Sequence, residues 1–80
     1  MITLYDFNAL TEDAKANAVW QGTFLADRRE EDLTVQLYSV GSFYVEVFYD
    51  AGLNKIVRFR SFMTKSLLVP YLAQIKFDLK

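Results

Sequence analysis

Three runs in the middle of the chain place large apolar or aromatic side chains on both alternating faces. A strand exposed on one side alternates apolar with polar positions, so this pattern predicts strands that are covered on both faces. In the second run Val45 and Val47 share one face, whereas Tyr44 and Phe48 flank Glu46 on the other. The strands are predicted near 33–40, 43–50 and 55–63, with turns at Gly41-Ser42 and 51–54.

The same pattern predicts how these strands pair. With Val47 opposite Val57, apolar residues meet on one face and every charge falls on the other. The remaining pairs are then Val45 with Phe59, Glu46 with Arg58, Tyr44 with Arg60, and Phe48 with Ile56. A two-residue turn at Gly41-Ser42 would set Leu37 opposite Glu46, so a three-residue loop or a bulge is predicted there. We also expect a structural ion pair of Glu46 with Arg58 or Arg60.

The segment before these strands predicts a short strand followed by a helix. Residues 2–7 are rich in β-formers and predict the strand. Thr11 stands at an N-cap position before acidic residues and an alanine-rich run, which favours a helix. That helix is predicted to continue to the charged run at 27–32. Its apolar stripe is expected to pack in the core: Ala16, Val19, Trp20 and Phe24.

A second helix is predicted after the strands, beginning at Thr64 or Ser66 and tolerating Pro70 near its start. Its apolar face would contain Leu68, Leu72, Ile75 and Leu79. Helix is favoured to about Lys76, and an extended ending is left open because residues 75–80 also alternate with period two. The predicted main core is Trp20, Phe24, Val45, Val47, Val57, Phe59 and Leu72.

The predicted fold is therefore one α+β domain spanning residues 1–80, because a chain this short cannot build two independent cores. The element order is β-α-β-β-β-α. It contains a three-stranded antiparallel meander, to which the N-terminal strand could add, with two helices packed mainly on one face. The apolar content of 52% argues for a folded domain over a disordered one.

Composition excludes several kinds of chemistry. The chain contains neither cysteine nor histidine, which removes the usual zinc sites and both thiol and imidazole catalysis. No stretch approaches the roughly 18 consecutive apolar residues of a membrane span. The first residues carry no basic region, so no secretory signal is predicted, and we expect a cytoplasmic location.

Catalysis is not expected from the residues that remain. No histidine is present to activate a serine, and no glycine-rich loop follows a strand to hold phosphate. Glu46 has no second acid on its face with which to act as a hydrolytic pair. The acids Glu30, Glu31 and Asp32 follow arginines directly and lack the spacing of a calcium loop. The sequence therefore predicts no enzyme, no cofactor and no metal.

One predicted sheet face combines aromatic side chains with arginines, which are residue types enriched at protein interfaces. The candidate interface is Tyr38, Tyr44, Glu46, Phe48, Arg58, Arg60 and Phe62. We expect a homo-oligomer, most simply a dimer, or an unidentified protein partner. The alternatives are weak nucleic-acid binding through Arg58, Arg60, Tyr44 and Phe48, or cover by the chain's own terminal segments. The acidic pI of 5.2 argues against nucleic acid.

Charge is distributed unevenly along the chain. Residues 1–32 carry seven acids and three bases, whereas residues 33–80 carry three acids and six bases. The two halves are expected to face each other or to be solvated. Two more specific alternatives are head-to-tail pairing between copies and a weakly basic face of the sheet.

Residues 7–18 resemble the opening F-x-x-L-[ST]-x-x-A-K-x-x-A of small uncharacterised bacterial and phage proteins, through Phe7, Leu10, Thr11, Ala14, Lys15 and Ala18. The resemblance suggests a bacterial origin and implies no function. The predicted topology also resembles double-stranded RNA-binding domains and ribosome hibernation factors. RNA-binding domains of that kind carry a lysine cluster at the start of the last helix, where this chain has Lys65 alone, so their activity is not carried over.

Overall fold

The computed structural model of the chain describes residues 2–74. Two short helices are followed by four strands and a 3₁₀ helix. The elements are α1 (Leu4–Asn8), α2 (Glu12–Trp20), β1 (Thr23–Glu30), β2 (Leu33–Val40), β3 (Phe43–Asp50), β4 (Lys55–Phe62) and the 3₁₀ helix (Lys65–Tyr71). The strands form one antiparallel sheet in chain order. The α+β class and the three predicted strands are confirmed. The predicted element order is wrong, and with it the likeness to the topology of RNA-binding domains.

The N-terminal segment is helix α1, and the predicted strand over residues 2–7 is wrong. Thr3 and Asp6 form a reciprocal cap. The Asp6 N–H donates to Thr3 Oγ1 at 3.1 Å, and the Thr3 N–H donates to Asp6 Oδ2 at 3.0 Å. The hydrogen bond from the Thr3 N–H to the Asp6 carboxylate, followed by that of the Thr3 side chain, holds the pKa of Asp6 below its ordinary value. The capping box satisfies two helix-end N–H groups and overrides the β-propensity of the segment.

Helix α2 begins at the predicted N-cap, where Thr11 Oγ1 accepts the Ala14 N–H at 3.2 Å. It ends at Trp20, however, and does not continue to residue 27. Gly22 explains the early end, because a Cβ there would lie 2.4 Å from the carbonyl oxygen of Ser39. The backbone turns directly against β2 at this point, and the chain continues as β1, where the sequence predicted helix.

The β2–β3 hairpin has a two-residue turn, and the predicted three-residue loop is wrong. Val40 pairs with Phe43, and Leu37 therefore lies opposite Glu46. Gly41 supplies the left-handed backbone that this tight turn requires, with φ at 57°. The pairing with Leu37 is tolerated because Glu46 finds its partners on β1 and β4.

The β3–β4 pairing is offset by two residues from the prediction. Val47 lies opposite Phe59 and Glu46 lies opposite Arg60, and the register skips Val57 between Phe48 and Tyr49. A bulge at Val57 therefore absorbs the extra residue. The offset is even, so the side chains from Arg58 to Phe62 keep their predicted faces, whereas Ile56, which precedes the bulge, lies opposite Tyr49 on the other face. The expected Glu46–Arg60 ion pair is confirmed.

Apolar residues pack on both faces of the sheet. On the face covered by α1 and α2, here called the helical face, the buried cluster is Phe7, Val19, Val40, Phe43, Val45 and Val47. On the opposite face, here called the C-terminal face, the 3₁₀ helix packs Leu68 and Tyr71 against Ala26, Leu37 and Phe62. The two α-helices thus share one face, whereas the 3₁₀ helix lies on the other. The predicted packing of the helix after Thr11 and the helix after the strands on one face is therefore wrong.

The prediction of the core is confirmed at Val45 and Val47, and Phe59 is partly buried. It is wrong for four residues that are half exposed: Trp20, Phe24, Val57 and Leu72.

The predicted second helix is a 3₁₀ helix that ends at Tyr71. Pro70 accounts for this, because in an α-helix its ring would clash with the carbonyl four residues earlier. The predictions for residues 75–80 fall outside the described residues.

Candidate interaction site

The seven residues of the predicted interface lie on two faces of the sheet. Tyr38 pairs with Val45 and therefore belongs to the helical face. The other six share the C-terminal face: Tyr44, Glu46, Phe48, Arg58, Arg60 and Phe62. Glu46, Phe48 and Phe62 are buried within the chain itself, so that face offers less open aromatic surface than the sequence suggested.

Glu46 is the centre of a polar network on the C-terminal face, and its side chain is fully buried. Its Oε2 accepts from Arg28 Nη2 at 3.1 Å and from the Tyr71 hydroxyl at 2.5 Å. Its Oε1 accepts from Arg60 Nε at 2.7 Å and contacts Arg60 Nη2 at 2.5 Å. Arg28 also donates to the Tyr71 hydroxyl at 3.1 Å and to Glu30 at 3.0 Å.

The network raises the pKa of two of its members, Tyr71 and Arg28. Burial raises the pKa of the Tyr71 phenol, and the hydrogen bond and charge of Glu46 raise it further. Burial alone would lower the pKa of Arg28, but its hydrogen bonds to Glu30, Tyr71 and Glu46 outweigh that effect and raise it. Among the described residues, every buried side-chain nitrogen and oxygen has a hydrogen-bond partner. The arrangement therefore joins the 3₁₀ helix to the sheet.

Arg58 is an exposed cation of the C-terminal face. Its guanidinium lies over the Phe48 ring, 3.9 Å from the ring centroid, and Arg60 lies 6.0 Å from the same centroid. Beside them Tyr44 stacks on Phe62 at 5.5 Å. Phe48 and Phe62 are covered by these neighbours, so the face presents guanidinium groups rather than free aromatic rings.

The open aromatic rings lie instead at the edge of the helical face. Trp20 is 50% exposed and Phe24 is 49% exposed. Both rings pack edge-on against Tyr38, with centroid distances of 5.5 Å and 5.6 Å. This geometry suits aromatic pairs, and it fixes two half-exposed rings in place before any partner arrives.

Helices α1 and α2 leave the far half of the helical face uncovered, where Tyr49 and Ile56 are only partly buried. A groove of about 220 Å³ runs there between Trp20 and the sheet, lined also by Gln36, Val47, Tyr49 and Ile56. The aromatic surface is defined here as Trp20, Phe24, Tyr38, Tyr49 and Ile56. It combines ring edges, an apolar groove floor and the Gln36 amide, which is the composition of a protein-binding patch.

Two opposite charges lie at the border of the aromatic surface. Asp27 and Arg29 are exposed, two positions apart on β1, and their strand partners Gln36 and Thr34 place them on the helical face. Arg29 donates to the Thr34 hydroxyl at 3.5 Å. The rim of the surface therefore carries one acid and one base at a short, fixed spacing.

A larger concavity of about 470 Å³ lies between α2 and the β2–β3 hairpin, next to Ile2 and Leu10. Its lining is mainly small apolar side chains, with the Asn17 and Gln21 amides at its border. Across residues 2–74, no cluster of three acidic, cysteine or histidine side chains is arranged to hold a metal ion. Within the same range, no helix is long and apolar enough to cross a membrane.

Sequence reasoning missed Trp20 and Phe24 as surface residues because their spacing of four fits a helix stripe. Gly22, which lies between them, was the signal that the helix ends. Arg28 was missed as a partner of Glu46 for the same reason, since the two meet only when residues 23–30 form a strand.

Comparison with protein-family models, with curated protein sequences and with solved structures yields no match.

Proposed function

We propose that this chain is a non-enzymatic interaction module that pairs with a second copy of itself through the aromatic surface. The observation that carries the proposal is the half-exposure of Trp20 and Phe24, two rings held rigidly around Tyr38 beside an open groove. Tryptophan and tyrosine dominate the binding energy of protein interfaces, and rings that are already ordered lose little entropy on binding.

The shape of the aromatic surface supports a second copy as the occupant. A twofold interface needs a patch that complements itself. Here the ring of Phe24 packs against Tyr38, and Trp20, which packs on the other side of Tyr38, borders the groove. In the proposed pairing, the Phe24 ring of each copy fills the groove of the other, and Asp27 of one copy lies near Arg29 of the other, so opposite charges pair at the rim.

The area of the aromatic surface indicates how tightly the two copies should bind. A stable interface buries about 800 Å² per partner, roughly a seventh of the 5450 Å² that this chain exposes. The molecule is a slab of 39 × 31 × 18 Å, and half of its broad face provides somewhat less than that area. We therefore expect a dimer with a dissociation constant in the micromolar range.

Analytical ultracentrifugation over a concentration series tests the dimer. The parent should pass from monomer to dimer between about 1 and 100 μM, a range set by the expected micromolar affinity. The double variant Trp20→Ser with Phe24→Ser should stay monomeric and keep the circular dichroism spectrum of the sheet. Tyr5→Ser is the matched control, since Tyr5 is 81% exposed on α1 and lies outside the aromatic surface.

A charge swap tests the orientation of the two copies. Asp27→Arg should weaken the dimer because it sets like charges together, and adding Arg29→Asp should restore it. A parent that remains monomeric at several hundred micromolar refutes self-association. A parent dimer that persists in the Trp20 and Phe24 double variant would place the interface elsewhere.

The alternative function is weak nucleic-acid binding through Arg58, Arg60, Tyr44 and Phe48. The exposed guanidinium of Arg58 favours it, but Phe48 is covered and offers no stacking platform for a base. Fluorescence anisotropy with single- and double-stranded oligonucleotides distinguishes the two functions. Micromolar binding that weakens with salt and is lost in Arg58→Ala would favour nucleic acid.

A further inference from the structure

The two edges of the sheet differ in how their backbone groups are satisfied. At the β1 edge, the Asp27 N–H donates to Gln74 Oε1 at 3.2 Å, and Gln74 Nε2 donates to the Asp27 carbonyl oxygen. The Gln74 amide thus satisfies the outward backbone groups of Asp27, at the middle of the β1 edge. At the other edge, no strand among residues 2–74 pairs with the outer side of β4. An unpaired edge of this kind is a template for an additional strand.

The register shows which groups of β4 face outward. The two-residue turn makes Val40 and Phe43 a hydrogen-bonded pair, and such pairs alternate along antiparallel strands. Glu46 and Phe48 therefore point their backbone groups at Arg60 and Arg58. The backbone N–H and C=O groups of Phe59 and Ser61 point the other way, away from the sheet. An added strand would form its hydrogen bonds with these outward-facing groups, which occur at every second residue.

The side chains of β4 give this edge a definite charge. Residues 55–62 carry three bases, Lys55, Arg58 and Arg60, and no acid. Arg58 and Arg60 project from the C-terminal face at alternate positions. Stacking on Phe48 holds the Arg58 guanidinium at a fixed place, and the Arg60 side chain, although paired with Glu46, is 40% exposed.

This charge pattern disfavours a second copy as the added strand. If two β4 edges paired antiparallel about Phe59, Arg58 of each copy would lie opposite Arg60 of the other. Like charges directly opposite each other destabilise a sheet. The same two positions would favour carboxylates on an incoming strand, where arginine could form charge-assisted hydrogen bonds.

We propose that the β4 edge binds an extended acidic segment of another protein as a fifth strand. Acidic residues at alternate positions of that segment would face Arg58 and Arg60. The residue between them would hydrogen-bond the backbone of Phe59 and point its side chain to the helical face. The pairing backbone groups, those of Phe59 and Ser61, lie outside the aromatic surface, which reaches β4 only at Ile56. The proposal therefore does not depend on dimerisation through that surface.

The probe is a capped eight-residue peptide that alternates valine with glutamate, titrated into the ¹⁵N-labelled full chain. We expect saturable binding at micromolar to sub-millimolar concentration, with the largest shifts at the amides of Phe59 and Ser61. Arg58→Glu should weaken binding at least tenfold. The matched control Lys65→Glu makes the same charge change on an exposed residue outside β4 and should leave the affinity within about twofold.

Two further measurements separate strand addition from simple charge attraction. A peptide that is N-methylated at alternate positions keeps its charge but cannot pair with an edge, so binding should be lost. Equal binding of the methylated peptide overturns the proposal. Hydrogen exchange of the free protein gives the second test. If the Phe59 and Ser61 amides are already as protected as those of Arg58 and Arg60, the edge is occupied and the proposal is wrong.

Discussion

Removing the hydroxyl of Tyr71 tests whether the buried network holds the 3₁₀ helix on the sheet. In Tyr71→Phe the ring is retained, but Glu46 loses its 2.5 Å hydrogen bond and Arg28 Nε loses its acceptor at 3.1 Å. A hydrogen bond to a charged group contributes about 1.5–3 kcal/mol. Glu46 keeps Arg28 and Arg60 as partners, so we expect the free energy of unfolding to fall by about 2–3 kcal/mol.

The measurement is urea denaturation followed by tryptophan fluorescence and circular dichroism. A domain of 80 residues has a total stability of roughly 4–12 kcal/mol, so the expected loss is a large fraction of it. It corresponds to a fall in Tm of roughly 10–20 °C. Tyr5→Phe makes the same chemical change at an exposed position and should alter stability by less than about 0.5 kcal/mol. A Tyr71→Phe variant as stable as that control would refute a stabilising role for the network.

The pH dependence provides a second check on Tyr71. Its pKa is raised in the folded state, so the stabilisation is fully present below the ordinary tyrosine pKa near 10 and is lost as the pH rises above it. Tyr71→Phe should therefore lose less stability than the parent between about pH 9 and 11. Burial also raises the pKa of Tyr38, which would leave a residual alkaline loss in the variant.

Three smaller substitutions test local features by thermal melts. Gly22→Ala should destabilise by about 1–3 kcal/mol, because its Cβ would lie 2.4 Å from the Ser39 carbonyl oxygen, whereas Gly52→Ala should have a much smaller effect. Glu31→Gly should stabilise by roughly 0.5 kcal/mol, since Glu31 has a left-handed φ of 54°. Thr11→Ala should cost about 1 kcal/mol through the lost N-cap. A Gly22→Ala variant that is more stable than the parent, or a Glu31→Gly variant that is less stable, would contradict the backbone geometry.

The sheet was predictable where side-chain alternation and turn residues agreed. The three strands and the Glu46–Arg60 pair follow from a charged face and an apolar face that a one-residue slip would mix. The observed register of β4 against β3 differs from the predicted one by two residues. Side-chain alternation cannot detect this difference, because a shift of two residues leaves each side chain on the same face. The bulge at Val57 that sets the true register has no distinct residue to mark it.

In the N-terminal third, the start of helix α2 at Thr11 was predicted correctly, whereas the segments before and after that helix were not. The β-formers of residues 2–7 suggested a strand. Thr3 and Asp6 stand at the spacing of a capping box, however, and the hydrogen bonds of that box stabilise a helix instead. Beyond Trp20 the apolar spacing fitted a helix, and only the close approach of Gly22 to Ser39 shows why the chain had to turn. The aromatic surface could not be predicted without that turn.

The meander also determines the order in which this protein should assemble. Each strand pairs with the next one in the chain, so the three hairpins close short loops and need no distant partner. The termini depend on long-range closure: Asn8 meets Ser61 across 53 residues, and Asp27 meets Gln74 across 47. We expect the hairpins to form in the rate-limiting step and the terminal helices to dock afterwards. Substitutions at Tyr71 should then accelerate unfolding and leave the folding rate nearly unchanged.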